Sequence, residues 1–392
     1  MGPYLTYICS SLNECDQVVT TPNTMNNEMD ASDHEFLCKC FSDGSVSIEN
    51  FKKEQVPIHF SVNQHAEEKP SGVCASFCSS GRTRLLFVGR SDNILTSYRL
   101  CFQDGKERFI EFQSKALNCG SPLTCMAMTS VHSTNNYSHE CSMLMAVGLY
   151  SGQVLLFHIL YDESTGFLQW KQYDFFSNKA PSVVLLRILP CQESYELERA
   201  HHFRSFFLFS QRSNGIMEVS EVKVESRTLI VGGNPFLSTV NVSAQNRQTI
   251  NAIRACPCSI ACTKLFFPSL ICVLVGGESS LSLIYSKDEF KTFRSIPIQV
   301  PSSCVICAVS AVRHEKEDGA LLTLLCGDQF GQLYRIKIVK ESFEVVAKLL
   351  EFKSSSFLSP SLSSMTMHCV LVKKNGRHKI LFHDRVGTCL EF

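Results

Sequence analysis

Seven recurrences of one hairpin pattern, a scarcity of helical periodicity and an apolar segment ahead of the first recurrence predict an all-β chain. The expected architecture is a seven-bladed β-propeller, a single domain over residues 1–392 closed by its N-terminal strand. Each recurrence is a short apolar run, a polar turn often carrying Gly or Asn, and a second apolar run. The hairpins fall near residues 36–48, 85–98, 143–159, 206–219, 271–284, 321–338 and 379–392. Their turns include Asp43-Gly44, Ser91-Asp92-Asn93, Tyr150-Ser151-Gly152 and Ser213-Asn214-Gly215. Gly and Asn tolerate positive φ there, and the flanking β-branched and aromatic residues favour strands.

A blade needs four strands, so each hairpin requires a neighbour on either side. Inner candidates precede six hairpins: Val73–Phe77, Leu123–Met128, Val183–Leu189, Ile250–Ala255, Cys304–Val312 and Leu362–Val370, with Gln17–Thr21 a weaker one for the first blade. Outer candidates follow: Ile58–Val62, Arg108–Phe112, Phe167–Tyr173, Thr228–Val231, Phe293–Ile298 and Glu344–Phe352. The seventh blade lacks an outer strand, and Tyr4–Cys9 is expected to supply it and so protect the strand edges at the closure. Glu193–His202 reads as the best short helix, in a loop of the fourth blade.

Bulk composition constrains function. Lys+Arg and Asp+Glu both number 37, so nothing steers the whole chain toward nucleic acid or an anionic membrane. No stretch reaches the length of a membrane span, and the N-terminus lacks the charged and apolar regions of a secretory signal. An intracellular location, nuclear or cytoplasmic, is therefore expected, with the 20 cysteines as thiols.

The hairpin succession with a split last blade resembles the WD-repeat and WD-like propellers. The resemblance covers the chain as architecture: the Gly-His dipeptide of that family is absent, and Trp170 is followed by Lys171 where the family has Asp. The tetrad those residues supply is thus not available, which leaves packing to hold the blades. Cys326-Gly327-Asp328-Gln329-Phe330-Gly331-Gln332-Leu333-Tyr334, with Ile380–Gly387, is locally similar to hairpins in another propeller family. That family contains the large subunits of the polyadenylation factor, the splicing factor and the damaged-DNA-binding ubiquitin-ligase adaptor.

Cys256, Cys258 and Cys262, and Cys304 with Cys307, have spacings that zinc thiolate sites use, but an extended Cys304–Cys307 run points its sulfurs to opposite faces. Buried thiols are the expectation for these, for Cys38/Cys40 and for Cys74/Cys78. His201-His202 near Glu196 and Glu198 reads as a solvated loop. Ser286–Phe293 resembles the Asp-box turn of sialidase-like propellers, with Phe290 in place of its Gly. Neither a nucleophile elbow nor a phosphate-cradling glycine loop is present. No catalytic residue, cofactor or metal is expected.

The predicted function is a non-catalytic protein-interaction scaffold, a subunit of a multiprotein complex that touches nucleic acid only indirectly. Candidate anchors are Phe175, Phe176, Phe266, Phe267 and Phe357, with Arg82 and Arg84 as a basic patch shared with Arg90 and Arg99. The alternatives are a propeller enzyme with its site at the central channel mouth, or a nucleic-acid-binding adaptor.

Overall fold

The structure, a computed structural model, describes 27 strands and, between them, residues 43–44, 71, 91–93, 117–122, 131, 150–153, 165–166, 181–182, 213–215, 252–253 and 292–293. The strands form seven successive antiparallel sheets. Sheet I holds β1 (Leu5–Ser10), β2 (Phe36–Phe41), β3 (Ser45–Asn50) and β4 (Ile58–Ser61). Sheet II holds β5 (Gly72–Ser80), β6 (Thr83–Arg90), β7 (Ile94–Gln103) and β8 (Lys106–Ala116). Sheet III holds β9 (Leu123–Ser130), β10 (Glu140–Leu149), β11 (Val154–Asp162) and β12 (Phe167–Phe176). Sheet IV holds β13 (Val183–Glu196), β14 (His201–Arg212), β15 (Ile216–Val231) and β16 (Asn234–Asn251).

Sheet V holds β17 (Pro257–Leu265), β18 (Leu270–Gly277), β19 (Ser280–Ser286) and β20 (Arg294–Ile298). Sheet VI holds β21 (Ile306–Val312), β22 (Ala320–Asp328), β23 (Leu333–Val339) and β24 (Val345–Leu350). Sheet VII holds three strands among the described residues: β25 (His368–Lys374), β26 (Arg377–His383) and β27 (Cys389–Glu391). All seven expected hairpins are present as the antiparallel pairs β2/β3, β6/β7, β10/β11, β14/β15, β18/β19, β22/β23 and β26/β27.

Four expectations about the segments around the hairpins are corrected. Leu5–Ser10 does not add to the last sheet; it pairs with β2, setting Tyr7 opposite Cys40 and Cys9 opposite Cys38. The hairpin β2/β3 is apolar and buried, so its inner side needs a strand, and β1 takes the place for which Gln17–Thr21, outside the described residues, was the candidate. Glu193–His202 is not a helix. Glu193 faces Arg204 and Glu196 faces His201 across a ladder that continues β13 and β14 past a bulge at Pro190/Gln192. The aromatic run His202–Phe209 favours extended backbone, and an existing ladder extends more readily than an isolated short helix nucleates. Ile250 and Asn251 end the outer strand β16, and Pro257–Leu265 is the inner strand of sheet V; Thr228–Val231 belongs to β15.

Two compact units divide the chain: Met1–Ala75, Ser213–Ile216 and Asn251–Phe392 make one, and Ser76–Arg212 with Met217–Ile250 the other. In the first, successive sheets meet through their inner strands, β17 beside β21, β21 beside β25, and β25 beside β1. The first and last sheets are thus brought side by side by packing rather than by a shared ladder.

In the second unit β6 lies beside β9, and β9 and β10 lie beside β13. Even-numbered residues of sheet III (Leu144, Ala146, Val154, Leu156) pack with even-numbered residues of sheet IV (Leu186, Ile188, Phe206, Leu208, Val222) in one buried cluster. The odd-numbered face of sheet III is buried as well. Phe157 and Phe87 of β6 both meet Trp170 edge-on, at 6.1 and 5.6 Å between centroids. Lys115 of β8 lays its ammonium 5.6 Å from the Phe157 and Trp170 rings, and burial pulls its pKa below the ordinary lysine value. A sheet covered on both faces needs no polar alternation, which is why Met143–Leu149 and Val154–Ile159 read as continuous apolar runs.

Among the described residues no helix is long and apolar enough to cross a membrane.

Candidate functional site

In the second unit the hairpin turns and the links between sheets gather at one end of the strands. Asn93, at φ 63°, ends the turn between β6 and β7. Its carbonyl accepts from Leu117 N at 2.9 Å, and its side-chain Oδ1 accepts from Leu123 N, the first residue of β9, at 3.0 Å. The same link holds the next turn: Tyr150 N donates to Pro122 O at 2.9 Å and Ser151 N to Ser121 Oγ at 2.8 Å. Leu149 N donates to Gln153 O and Gly152 N to Leu149 O, both at 3.0 Å. Four consecutive amides of this turn are therefore engaged. Gly152 sits at φ 85°, a conformation that suits glycine at the close of a hairpin.

Arg212 fastens this turn to sheet IV. It is the last residue of β14 and only 2% exposed. Its Nη1 donates to Gly152 O and, at 3.2 Å, to Pro181 O, while Nη2 donates to Glu218 Oε2 at 2.6 Å. Arg247 of β16 binds the other oxygen, Glu218 Oε1. This buried carboxylate lies between two guanidiniums and has a charge-assisted bond at each oxygen, and one of those guanidiniums also satisfies two carbonyls. The planar fork of arginine suits this, because Nη1 serves the carbonyls and Nη2 the carboxylate, whereas an ammonium would have to meet all three from one nitrogen.

Arg90 holds the corresponding place in sheet II. It ends β6, is buried, and binds Asp92 in a two-point fork, Nε to Oδ1 at 3.0 Å and Nη2 to Oδ2 at 2.5 Å. The two arginines share a sequence signal: Arg90-Ser91-Asp92-Asn93 and Arg212-Ser213-Asn214-Gly215 each put Arg at the end of an apolar run and directly before the turn. Reading the arginines of sheet II as one exposed patch missed that signal.

Of the expected site residues, Arg84, Phe175 and Phe176 are described, and none lies on an open loop. Arg84 is buried, and desolvation lowers its pKa despite the opposing influence of Cys78, so its guanidinium is not an open surface cation. Arg99 donates to Tyr161 Oη at 3.1 Å and to Cys101 Sγ, and these bonds raise its pKa. Phe175 and Phe176 end β12 rather than lying in a loop. Phe176 stands opposite Val154, and Phe175 falls at the bulge between the Val154 and Leu155 partners, at the turn end of sheet III. Arg82, Phe266, Phe267 and Phe357 lie outside the described residues, as do Cys256, Cys304 and Lys287–Lys291.

Tyr150 is the aromatic that sequence reading passed over. It occupies the bonded turn with 68% of its surface exposed. Its Gly-rich, polar neighbours had marked it only as turn.

Elsewhere in the unit, Ser142 Oγ lies 2.7 Å from His158 Nε2, but both are buried between strands, 3% and 2% exposed, so the pair serves the interior. Among the described residues no group of three or more His, Cys, Asp or Glu side chains converges as for a metal ion. Cys125 is fully enclosed, and loss of solvation pushes its thiol up to about 12. The thiolate is the reactive form, so Cys125 should resist alkylation in the folded chain at pH 8 while the partly exposed Cys119 is modified. Peptide mapping after brief iodoacetamide treatment checks this; equal labelling of both would contradict the burial of Cys125.

No family model and no curated protein matches the sequence. Similar solved structures include AofleA from Arthrobotrys oligospora, at 12% identity and TM-score 0.45 over 89% of this chain and 88% of that one. Sqt1 from Chaetomium thermophilum aligns at 11% identity and TM-score 0.45, over 91% and 80%. Aleuria aurantia lectin, described as a six-bladed β-propeller that recognises fucose, aligns at 10% identity and TM-score 0.42, over 83% and 93%. Likenesses at this level transfer no function.

Proposed function

We propose that the chain is a non-catalytic protein-interaction scaffold, a seven-bladed β-propeller acting as a subunit of an intracellular complex, and that it docks partners through the turn end of sheets II to IV. The observation that carries the reading is Tyr150: a large aromatic side chain held in solvent on a turn whose amides are all engaged. Binding hot spots favour aromatic and arginine anchors, and a rigid anchor loses little entropy on docking. Phe175 and Phe176, at the same end of sheet III, are proposed to extend this contact.

The test is quantitative affinity purification from native cells with the wild-type chain and Tyr150→Ala as baits. Truncating an exposed side chain should leave stability within about 0.5 kcal/mol. Recovery of at least one stoichiometric partner should fall about tenfold or more. Phe167→Ala, at the far end of the same sheet and similarly exposed, should change neither. An identical partner set for wild type and Tyr150→Ala would refute the docking rim, and a turnover activity in the isolated chain would refute the scaffold.

A further inference from the structure

β16 ends sheet IV, with β15 as its neighbour in the strand order. An edge strand presents a row of unpaired N–H and C=O groups, and folded proteins protect such edges with charge, proline, bulges or shortness. β8, the outer strand of sheet II, follows the rule: Lys106, Glu107, Arg108, Glu111 and Lys115 fall within its 11 residues. β16 does not. It runs for 18 residues, its one proline, Pro235, is at the second position, and its one charged residue, Arg247, is spent on Glu218. Asn241, Ser243, Gln245, Thr249 and Asn251 are exposed on one face. On the other, Val242 and Ile250 are only half-buried, Val242 packing at the margin of the core between sheets III and IV.

At three of its five flanking positions this segment is symmetric in kind about Asn246. Reading outward, Gln245 answers Arg247, Ala244 answers Gln248, Ser243 answers Thr249, Val242 answers Ile250 and Asn241 answers Asn251. We propose that the β16 edge pairs antiparallel with the same edge of a second copy of the chain, on a twofold axis through Asn246. That register sets Val242 against the second copy's Ile250, Ser243 against its Thr249 and Asn241 against its Asn251. Three positions on each side of the axis meet a side chain of their own type, which cross-strand pairing rewards, and Arg247 faces Gln245 instead of a like charge. The contact is isologous and uses both edges, so it closes at a dimer and does not propagate. A strand from an unrelated protein would not require β16 to be symmetric with itself.

Sedimentation equilibrium of the full chain in reducing buffer tests this, using two double variants at positions 243 and 249. Both side chains are exposed, so the monomer fold tolerates either pair. Ser243→Lys with Thr249→Lys sets lysine against lysine twice across the axis and should weaken the dimer about tenfold. Ser243→Asp with Thr249→Lys sets opposite charges in the same places and should dimerise at least as tightly as wild type. A wild-type chain that is monomeric through the micromolar range overturns the proposal, as does a dimer indifferent to both variants. Tyr150→Ala should leave the dimer unchanged, so the edge and the docking rim stand or fall separately.

Discussion

Replacing Arg212 by methionine should lower the unfolding free energy by about 3 kcal/mol, the range found when one partner of a buried ion pair is removed. The expected loss comes from what is left behind. Gly152 O and Pro181 O lose their donor, and Glu218 keeps only Arg247, which is 41% exposed at its side chain and attracts the carboxylate through a more solvated environment. Methionine fills much of the volume, so the effect isolates the polar matching from packing. Arg212→Lys keeps the charge and should still lose about 1.5 kcal/mol or more, because an ammonium would have to meet two carbonyls and a carboxylate from one nitrogen. Trp170 is the only tryptophan and lies between sheets II and III, so its emission during urea unfolding reports on this unit alone. A change under about 1 kcal/mol for the methionine variant would mean that Arg212 does not bind as described.

The second large effect is expected at Gly148, near the end of β10. A Cβ there would stand 2.7 Å from Cys125 Sγ and 2.8 Å from Val183 Cγ1, the first in its own sheet and the second in sheet IV. In an open strand, alanine in place of glycine would stabilise the fold by about 0.5–1 kcal/mol through the unfolded chain. Here the steric term is opposite in sign and larger, for an expected net loss of about 1–3 kcal/mol. Val183 is β-branched and fully buried, which restricts how far it can move aside. Adding Cys125→Ala should recover part of the loss and leave the share due to Val183, a coupling that a double-mutant cycle measures. If Gly148→Ala proves neutral or stabilising by urea unfolding, sheets III and IV are further apart than described.

What could be read from residues alone follows from the range of the interactions concerned. The seven hairpins were legible because a tight turn is a local event: Asp43-Gly44, Asn93, Gly152 and Ser213–Gly215 announce themselves within four residues. Which strand flanks a hairpin is decided at long range, and the reading misplaced the N-terminal strand, Ile250–Ala255 and Thr228–Val231 while finding most of the others. Leu5–Ser10 is equally apolar for sheet I or sheet VII, and only the vacant inner side of β2 chooses between them. The length of β13 to β16 was hidden because Glu193–Glu196 is polar and its pairing with His201–Arg204 depends on a ladder established elsewhere.

The candidate site was less legible than the fold. Arg84 and Arg99 have the look of a surface patch, yet their fate is set by Cys78, Tyr161 and burial that no local pattern records. Tyr150 and Arg212 carry their meaning through partners about 30 to 60 positions away, and the repeated Arg-Ser quartet was the one local trace of that.

The claim on which the rest depends is that Tyr150 is exposed on a turn that is itself immobile. Amide hydrogen exchange resolved at Leu149, Tyr150, Ser151 and Gly152 tests it most directly, since each of those N–H groups has a bonded acceptor. All four should exchange as slowly as the adjoining ladder of β10 and β11, and Arg212→Met should speed Gly152 in particular. Exchange of these amides at the rate of an unstructured loop in the wild-type chain would contradict it.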